Sequence, residues 1–429
     1  MARITIRLAA CAAMAIALAS AAPAWAETVI LAGNVLTDAD STLTGPATIV
    51  VDEGRIVSIT AGADASAATA DATVIDLGDK TVMPGLIDLH VHLTGDPGGD
   101  FWKEATEPAE WSVVVGAKNA RLTALAGFTT VREAGSAQHS AFALRRGTAE
   151  GVIPGPRIIA AGPPLAIIGG HGDVSGFLPE INEVLSSGYS CTGAVECAAK
   201  VRRASQNGAD TIKITATGGV LSQQGRGLEA HFTDAEMTSI ADTAHSLGLK
   251  VMAHAHGARG IEAAARAGID TIEHGTYLDE AAAKAMKAND TVLVPTLMAF
   301  KGVTERLGQG VYTPVVETKI NAVAETARTF MGKAYRWGVP IAFGTDAGVF
   351  EHGRNAEEFA LMVAQGMSNR EAIASATTVA ARVLEMDDTI GRLAPGYSAD
   401  LIAVDGNPLT DVTVLEKVGF VMVRGRVIE

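Results

Sequence analysis

An α/β fold, a (β/α)8 TIM barrel carrying a small β-sandwich domain built from both chain ends, is what this sequence of 429 residues predicts. Three observations lead there. From Leu86 to about Ala376, short apolar runs alternate with Ala-rich helical stretches, as eight β/α repeats require. The two ends are instead short strand-like runs broken by turns, too few at either end to make a stable sheet alone. Residues with metal-binding chemistry recur at the ends of the predicted strands, where parallel barrels collect functional groups. A doubly wound open sheet is the rival, but no Gly-x-Gly-x-x-Gly follows the first strand, which weakens its dinucleotide-binding form.

Taken in order, the first 26 residues read as a secretory signal: Arg3 and Arg7, an apolar run from Leu8 to Ala22, and the small-x-small site Ala24-Trp25-Ala26. Cleavage after Ala26 implies export to a periplasm-like space. Cys11 resembles a lipoprotein cysteine but precedes the apolar run instead of following it. That run is also shorter than the roughly 20 residues a spanning helix needs, and no second span of that length follows. Cys191 and Cys197 remain, and in an oxidising compartment they either close a small disulfide or stay as two thiols.

Strand-like runs follow at Thr28–Leu31, Ala47–Val51, Arg55–Ile59 and Thr73–Ile75, with a turn at Asp52-Glu53-Gly54. The tail repeats the pattern at Ala399–Val404 and Phe420–Val423, with Arg424-Gly425-Arg426 as a turn. Residues 27–83 and 386–429 are therefore expected to form the small β domain, with a barrel over 84–385 inserted between them. Its strands are expected at Leu86–His92, Phe128–Glu133, Arg157–Ala161, Thr211–Ala216, Val251–His254, Thr271–His274, Thr291–Pro295 and Pro340–Asp346. Thr233 with Glu236, and Ser368 with Glu371, are capping boxes that start helices; Gly248 should end the first. Ile261–Ala267 and Glu280–Lys287 are good helix formers. A composition 48% hydrophobic is ample for a large core, and a net charge of −14 repels phosphate backbones and argues against nucleic-acid partners.

The first predicted barrel strand carries the densest chemistry. Alternation sends Asp88, His90 and His92 to one face and Ile87, Leu89 and Val91 to the other. Two neutral imidazoles one repeat apart can chelate one ion, although an isolated His-x-His is more often a surface or hydrogen-bonded pair. His254, His274 and Asp346 end three further strands, and packing alone does not explain five such groups at four strand ends. Lys213 lies between two isoleucines in a β-type run. Burying its ammonium is costly, so it either snorkels from an exposed strand or points into the site as a modified or paired amine.

Met83-Pro84-Gly85-Leu86-Ile87-Asp88-Leu89-His90-Val91-His92, Lys213, His254, His274 and Gly344-Thr345-Asp346 resemble the metal-dependent amidohydrolase superfamily in its binuclear, carboxylated-lysine form. The tail from Gly391 to Leu401 resembles the return of such enzymes into their small β domain. Gly127-Phe128-Thr129-Thr130-Val131-Arg132-Glu133 and Gly169-Gly170-His171-Gly172-Asp173 are similar to the branch of Xaa-Pro dipeptidase-like and imidazolonepropionase-like proteins, which includes ochratoxin-degrading amidases. The resemblance implies two divalent ions, zinc first among them, held by His90, His92 and Asp346 and by His254 and His274. Carboxylated Lys213 would bridge them, and Asp346 would shuttle a proton from the attacking water to the departing amine.

The resemblance further implies a small-molecule amide substrate and a homo-oligomer. His171 is expected near the substrate carboxylate, His256 beside the ligands or in the pocket wall, and Arg226 opposite a substrate anion; as loop residues, His171 and Arg226 also have ordinary surface readings. Glu133, Asp173 and Glu351 are the acids that would suit a basic substrate side chain. The expected reaction is hydrolysis of dipeptides or N-acyl amino acids. Cyclic amides, or a metal-binding protein without turnover, are the alternatives.

Overall fold

A computed structural model describes residues 27–225 and 227–429, so the predicted signal segment and Arg226 lie outside the described residues. In chain order the strands are β1 (Thr28–Ala32), β2 (Asn34–Val35), β3 (Ala47–Asp52), β4 (Arg55–Ala61), β5 (Thr73–Asp76), β6 (Thr81–Pro84), β7 (Leu86–Val91), β8 (Phe128–Glu133), β9 (Arg157–Ala160), β10 (Thr211–Thr215), β11 (Lys250–Ala255), β12 (Thr271–His274), β13 (Val292–Val294), β14 (Leu401–Val404), β15 (Val418–Val423) and β16 (Arg426–Val427).

The chain ends build two sheets, β4-β3-β1-β5 and β16-β15-β14-β6-β2. The second joins both ends: β14 pairs antiparallel with β6, matching Leu401 to Pro84 and Ala403 to Val82. Side chains of both sheets share one apolar core that includes Ile30, Ile49 and Ile56 from the first sheet and Val82, Leu401 and Met422 from the second. Neither half buries that face without the other. The turn joining β3 to β4 has Glu53 at φ 47° and Gly54 at φ 74°, and the one joining β15 to β16 has Arg424 at φ 50° and Gly425 at φ 75°. Positive φ at both central residues gives the backbone twist a tight hairpin needs.

Between these halves the strands run parallel, in the orders β7-β8-β9 and β10-β11-β12-β13. Their edges meet through short contacts. Leu165 after β9 pairs with Ile214 of β10. At the far edge Leu293 of β13 donates to Pro340 O (2.8 Å) and accepts from Ala342 N (2.9 Å), while Leu89 of β7 donates to Phe343 O (3.0 Å). Pro340–Asp346, expected as a full strand, thus forms only isolated pairings. Proline has no N–H to donate, and Asp346 at φ 63° leaves the extended region altogether.

Helices begin where the local signals predict, between the parallel strands and after them. Asp234–Ser246 and Asn369–Ser375 both begin with complete capping boxes, from Thr233 and Ser368, and Gly248 follows the first in the left-handed conformation. Cys191 and Cys197 are joined by a disulfide and are fully buried. Among the described residues no helix is long and apolar enough to cross a membrane.

Candidate active site

The C-terminal ends of the parallel strands open into a cleft of about 990 Å³ lined by His90, His92, Lys213, His254, His274 and Asp346. Side chains from both parallel sheets meet there. His90 is fully buried, and its Nε2 lies 3.3 Å from Lys213 Nζ and 3.5 Å from Asp346 Oδ1. His92 Nε2 is 3.2 Å from the same Asp346 oxygen. The left-handed backbone at Asp346 is what turns its carboxylate in, and Asp346 N–H donates to His90 O at 2.7 Å to hold the bend. His274, also left-handed at φ 72°, meets the His254 ring edge-on with centroids 4.5 Å apart and lies tilted 5.2 Å from the His90 ring.

Each of these imidazoles has one ring nitrogen occupied by a protein oxygen. His90 Nδ1 meets Glu273 Oε2 at 2.7 Å, His92 Nδ1 meets Gly135 O at 2.9 Å, and His274 Nδ1 meets Thr296 Oγ1 at 2.7 Å. His254 Nε2 meets Gly218 O at 3.2 Å, and His256 Nδ1 meets Thr276 Oγ1 at 2.7 Å. Anchoring one nitrogen orients the ring and leaves the other for a ligand bond, and where the partner is a carboxylate or carbonyl, as for His90, His92 and His254, it also puts the proton on the anchored nitrogen. Burial also keeps the rings neutral: it lowers His90 to about 4 and His256 to about 3, and takes His254 and His274 well below the ordinary value. His92 differs. Burial lowers it, but the Asp346 carboxylate outweighs that and raises it overall.

Among the described residues two groups have donor atoms within 4.8 Å of one another: His90, His274 and Asp346, and His254, His256 and His274. The donor set fits divalent metal, since neutral nitrogen and a carboxylate converge with their orientations already fixed. His256, expected beside the ligands or in the wall, belongs to a donor group, whereas His92 enters neither despite its contact with Asp346. Lys213 is 5% exposed, and burial lowers it to about 8 against the pull of Glu273 and Asp346. Its neutral amine is therefore far more accessible near neutral pH than that of an exposed lysine.

His171 reaches the same cluster, its ring 4.2 Å from that of His254. A Cβ on Gly219 would lie 2.4 Å from the His171 ring, so a side chain there would displace it. The acids considered for a basic substrate do not line the cleft, and each has other partners, although Glu133 Oε1 is buried without one among the described residues. Glu133 Oε2 accepts from Leu93 N at 2.6 Å, Asp173 accepts from Gly169 N at 2.8 Å, and Glu351 pairs with Arg306 and Arg354. The cleft wall contains instead Val220, Phe300, Val303 and Val316, with Glu104 and Glu107 also lining it.

The groups that hold the site together had no role assigned from sequence, although alternation already put Asp88 on the face of His90 and His92. Asp88 is buried beneath it and accepts from His90 N (3.0 Å), Thr345 N (3.1 Å), Thr345 Oγ1 (2.6 Å) and Asn355 Nδ2 (2.9 Å). Glu273 and Thr296 were equally unassigned. For Glu273 the signal was alternation, which puts it on the same face of its strand as Thr271, in a run otherwise destined for burial.

Strand-end histidines around a buried lysine, on parallel strands inserted between two chain ends that pair in one sheet, define a class of metal-dependent hydrolase. Residues 81–428 match the Amidohydrolase family; the chain belongs to that family and is a hydrolase acting on amide bonds. Ochratoxinase from Aspergillus niger is 32% identical over 420 residues, covering 91% of this chain and 84% of its own. The crystal structure of a Xaa-Pro dipeptidase with methionine bound in the active site matches with a TM-score of 0.86 and 38% identity, covering 94% of this chain and 100% of that one. Imidazolonepropionase from Paracoccus denitrificans is 29% identical over 409 residues, 89% of this chain and 92% of its own.

Proposed function

We propose that this protein is a secreted, binuclear metal-dependent amidohydrolase that cleaves the amide bond of dipeptides or N-acyl amino acids bearing a free carboxylate. The observation that carries the reading is the convergence of Asp346 with four anchored imidazoles around Lys213. Ochratoxinase and Xaa-Pro dipeptidase, among its relatives, add support from their names. The edge contacts at Leu165 and at 340–347 support closure of the two parallel sheets as a (β/α)8 barrel over 84–385. The small β domain then spans 27–83 and 386–429. Export by the first 26 residues and a homo-oligomeric state belong to the same proposal.

His90, His92 and Asp346 would hold one ion, and His254 and His274 the other, with zinc the first choice. Such ions would supply Lewis acidity there, acidifying water and polarising the scissile carbonyl. Lys213 would join them as a carbamate: its neutral amine adds carbon dioxide and releases one proton, giving an anionic oxygen donor. Asp346 accepts a proton from the attacking water and returns it to the amide nitrogen, which leaves as an amine. His171, whose ring lies beside Gly219 and His254, would meet the substrate carboxylate, with Arg226 nearby in sequence to the Gly219 loop.

Zinc-loaded mature protein should release the C-terminal residue from members of a dipeptide and N-acyl amino acid library, and Asp346→Asn should not. No release across the library, with bound zinc confirmed, would overturn this reading. The imidazolonepropionase relationship would then favour cyclic amides.

A further inference from the structure

The Gly127–Glu133 stretch supplies no group to the proposed donor set, yet it contains Arg132, which heads the fully buried side chains in volume. Its guanidinium is held in a specific way. Nε donates to Leu89 O at 2.7 Å, and Nη2 donates to Glu273 Oε1 at 2.8 Å and to Thr271 Oγ1 at 3.2 Å. Thr271 Oγ1 itself donates to Glu273 Oε1 at 2.5 Å, and the other carboxylate oxygen, Oε2, faces His90 Nδ1 at 2.7 Å. Arg132 thus grips the residue before His90 and the carboxylate behind it. The chain of contacts spans β8, β7 and β12 with its side chains almost wholly shielded from water.

We propose that Arg132 and Glu273 are positioning residues that fix His90 with its proton on Nδ1 and strengthen Nε2 as a metal donor. The inference rests on the metal reading above. A carboxylate on the outer nitrogen lends electron density to the ring, which raises ligand basicity. Glu273 can serve that way only as an anion, and in a dry interior an anion needs a countercharge. Arg132 supplies it from the side away from His90, so the imidazole receives the field of a carboxylate without direct contact with the cation. For structure alone the pair is a poor choice, because well-packed neutral groups commonly replace a buried ion pair at no loss of stability.

The test compares full-length wild type, Glu273→Gln, and the double variant Glu273→Gln with Arg132→Met. In the double variant the amide oxygen still accepts from His90 Nδ1, so the orientation survives while both charges go. Three readouts are taken: Zn²⁺ affinity by chelator competition, the visible spectrum of the Co²⁺-loaded protein, and thermal unfolding of the metal-free forms. We expect zinc affinity to fall by about 10- to 100-fold in both variants. The Co²⁺ bands should shift, while the double variant unfolds close to wild type. Wild-type affinity and spectrum in the folded double variant would overturn the relay and leave a structural ion pair. A wild type that binds neither ion would instead overturn the metal reading, and the relay with it.

Discussion

Replacing Asp88 by alanine removes the acceptor of four hydrogen bonds at once: two backbone N–H groups, one hydroxyl and one amide. Asp88 is fully buried, so water cannot replace the lost oxygens. A hydrogen bond to a charged group contributes about 1.5–3 kcal/mol, and each orphaned buried donor costs about 1–3 kcal/mol. These terms overlap, because Asn355 Nδ2 also contacts Thr345 Oγ1 and the hydroxyl can turn to other acceptors. Desolvation of the carboxylate, which raises Asp88 to about 6, is also relieved and offsets part of the loss. A net destabilisation of about 3–4 kcal/mol follows, at the upper end of single substitutions. Function should suffer as well, since the lost bonds hold the backbone at His90 and immediately before Asp346. Urea unfolding of the metal-free protein measures the first effect, and zinc bound per chain after dialysis measures the second. A variant within about 1 kcal/mol of wild type that retains its zinc would refute the reasoning.

Other perturbations test other parts of the site. Gly344→Ala places a Cβ 2.3 Å from Val294 Cγ1 and 3.1 Å from His90 Cβ, so it should cost about 1–3 kcal/mol and reduce kcat by displacing Asp346, as urea unfolding and steady-state assays will register. Lys213→Ala should lower kcat by roughly 100-fold or more through loss of the carbamate oxygens, and added formate or propionate should restore part of it. Burial raises Glu358 to about 8 although Leu297 N and Met298 N both donate to it. Between the unfolded value near 4.5 and about 8 the folded chain retains a proton that the unfolded chain releases. Stability should therefore fall with rising pH across that window, by up to about 1.4 kcal/mol per unit from this group, and Glu358→Gln should flatten the profile in urea titrations.

Much of this arrangement is legible residue by residue. The alternation of Leu86–His92 puts two imidazoles on one face, the Thr233 and Ser368 boxes start helices where local hydrogen bonding demands, and a lysine between isoleucines marks an interior amine. These signals reach only a few residues along the chain. The Pro340–Asp346 run looked like any other apolar strand, and nothing in it announces that Asp346 bends at φ 63° to bring its carboxylate to His90 and His92.

Composition and periodicity by themselves determined which segments are extended or helical, which faces are apolar, and which residues have metal-binding chemistry; amide hydrolysis came from the motifs' resemblance to a known family. Tertiary structure decided the partners. Glu273 meets His90 across 183 positions, Asn355 meets Asp88 across 267, and His256 enters a donor group through Thr276 and the strand ends around it. The division has a physical cause. Backbone preference and alternation act between near neighbours, whereas the orientation of a buried polar group depends on whichever distant donor or acceptor satisfies it once water has been removed.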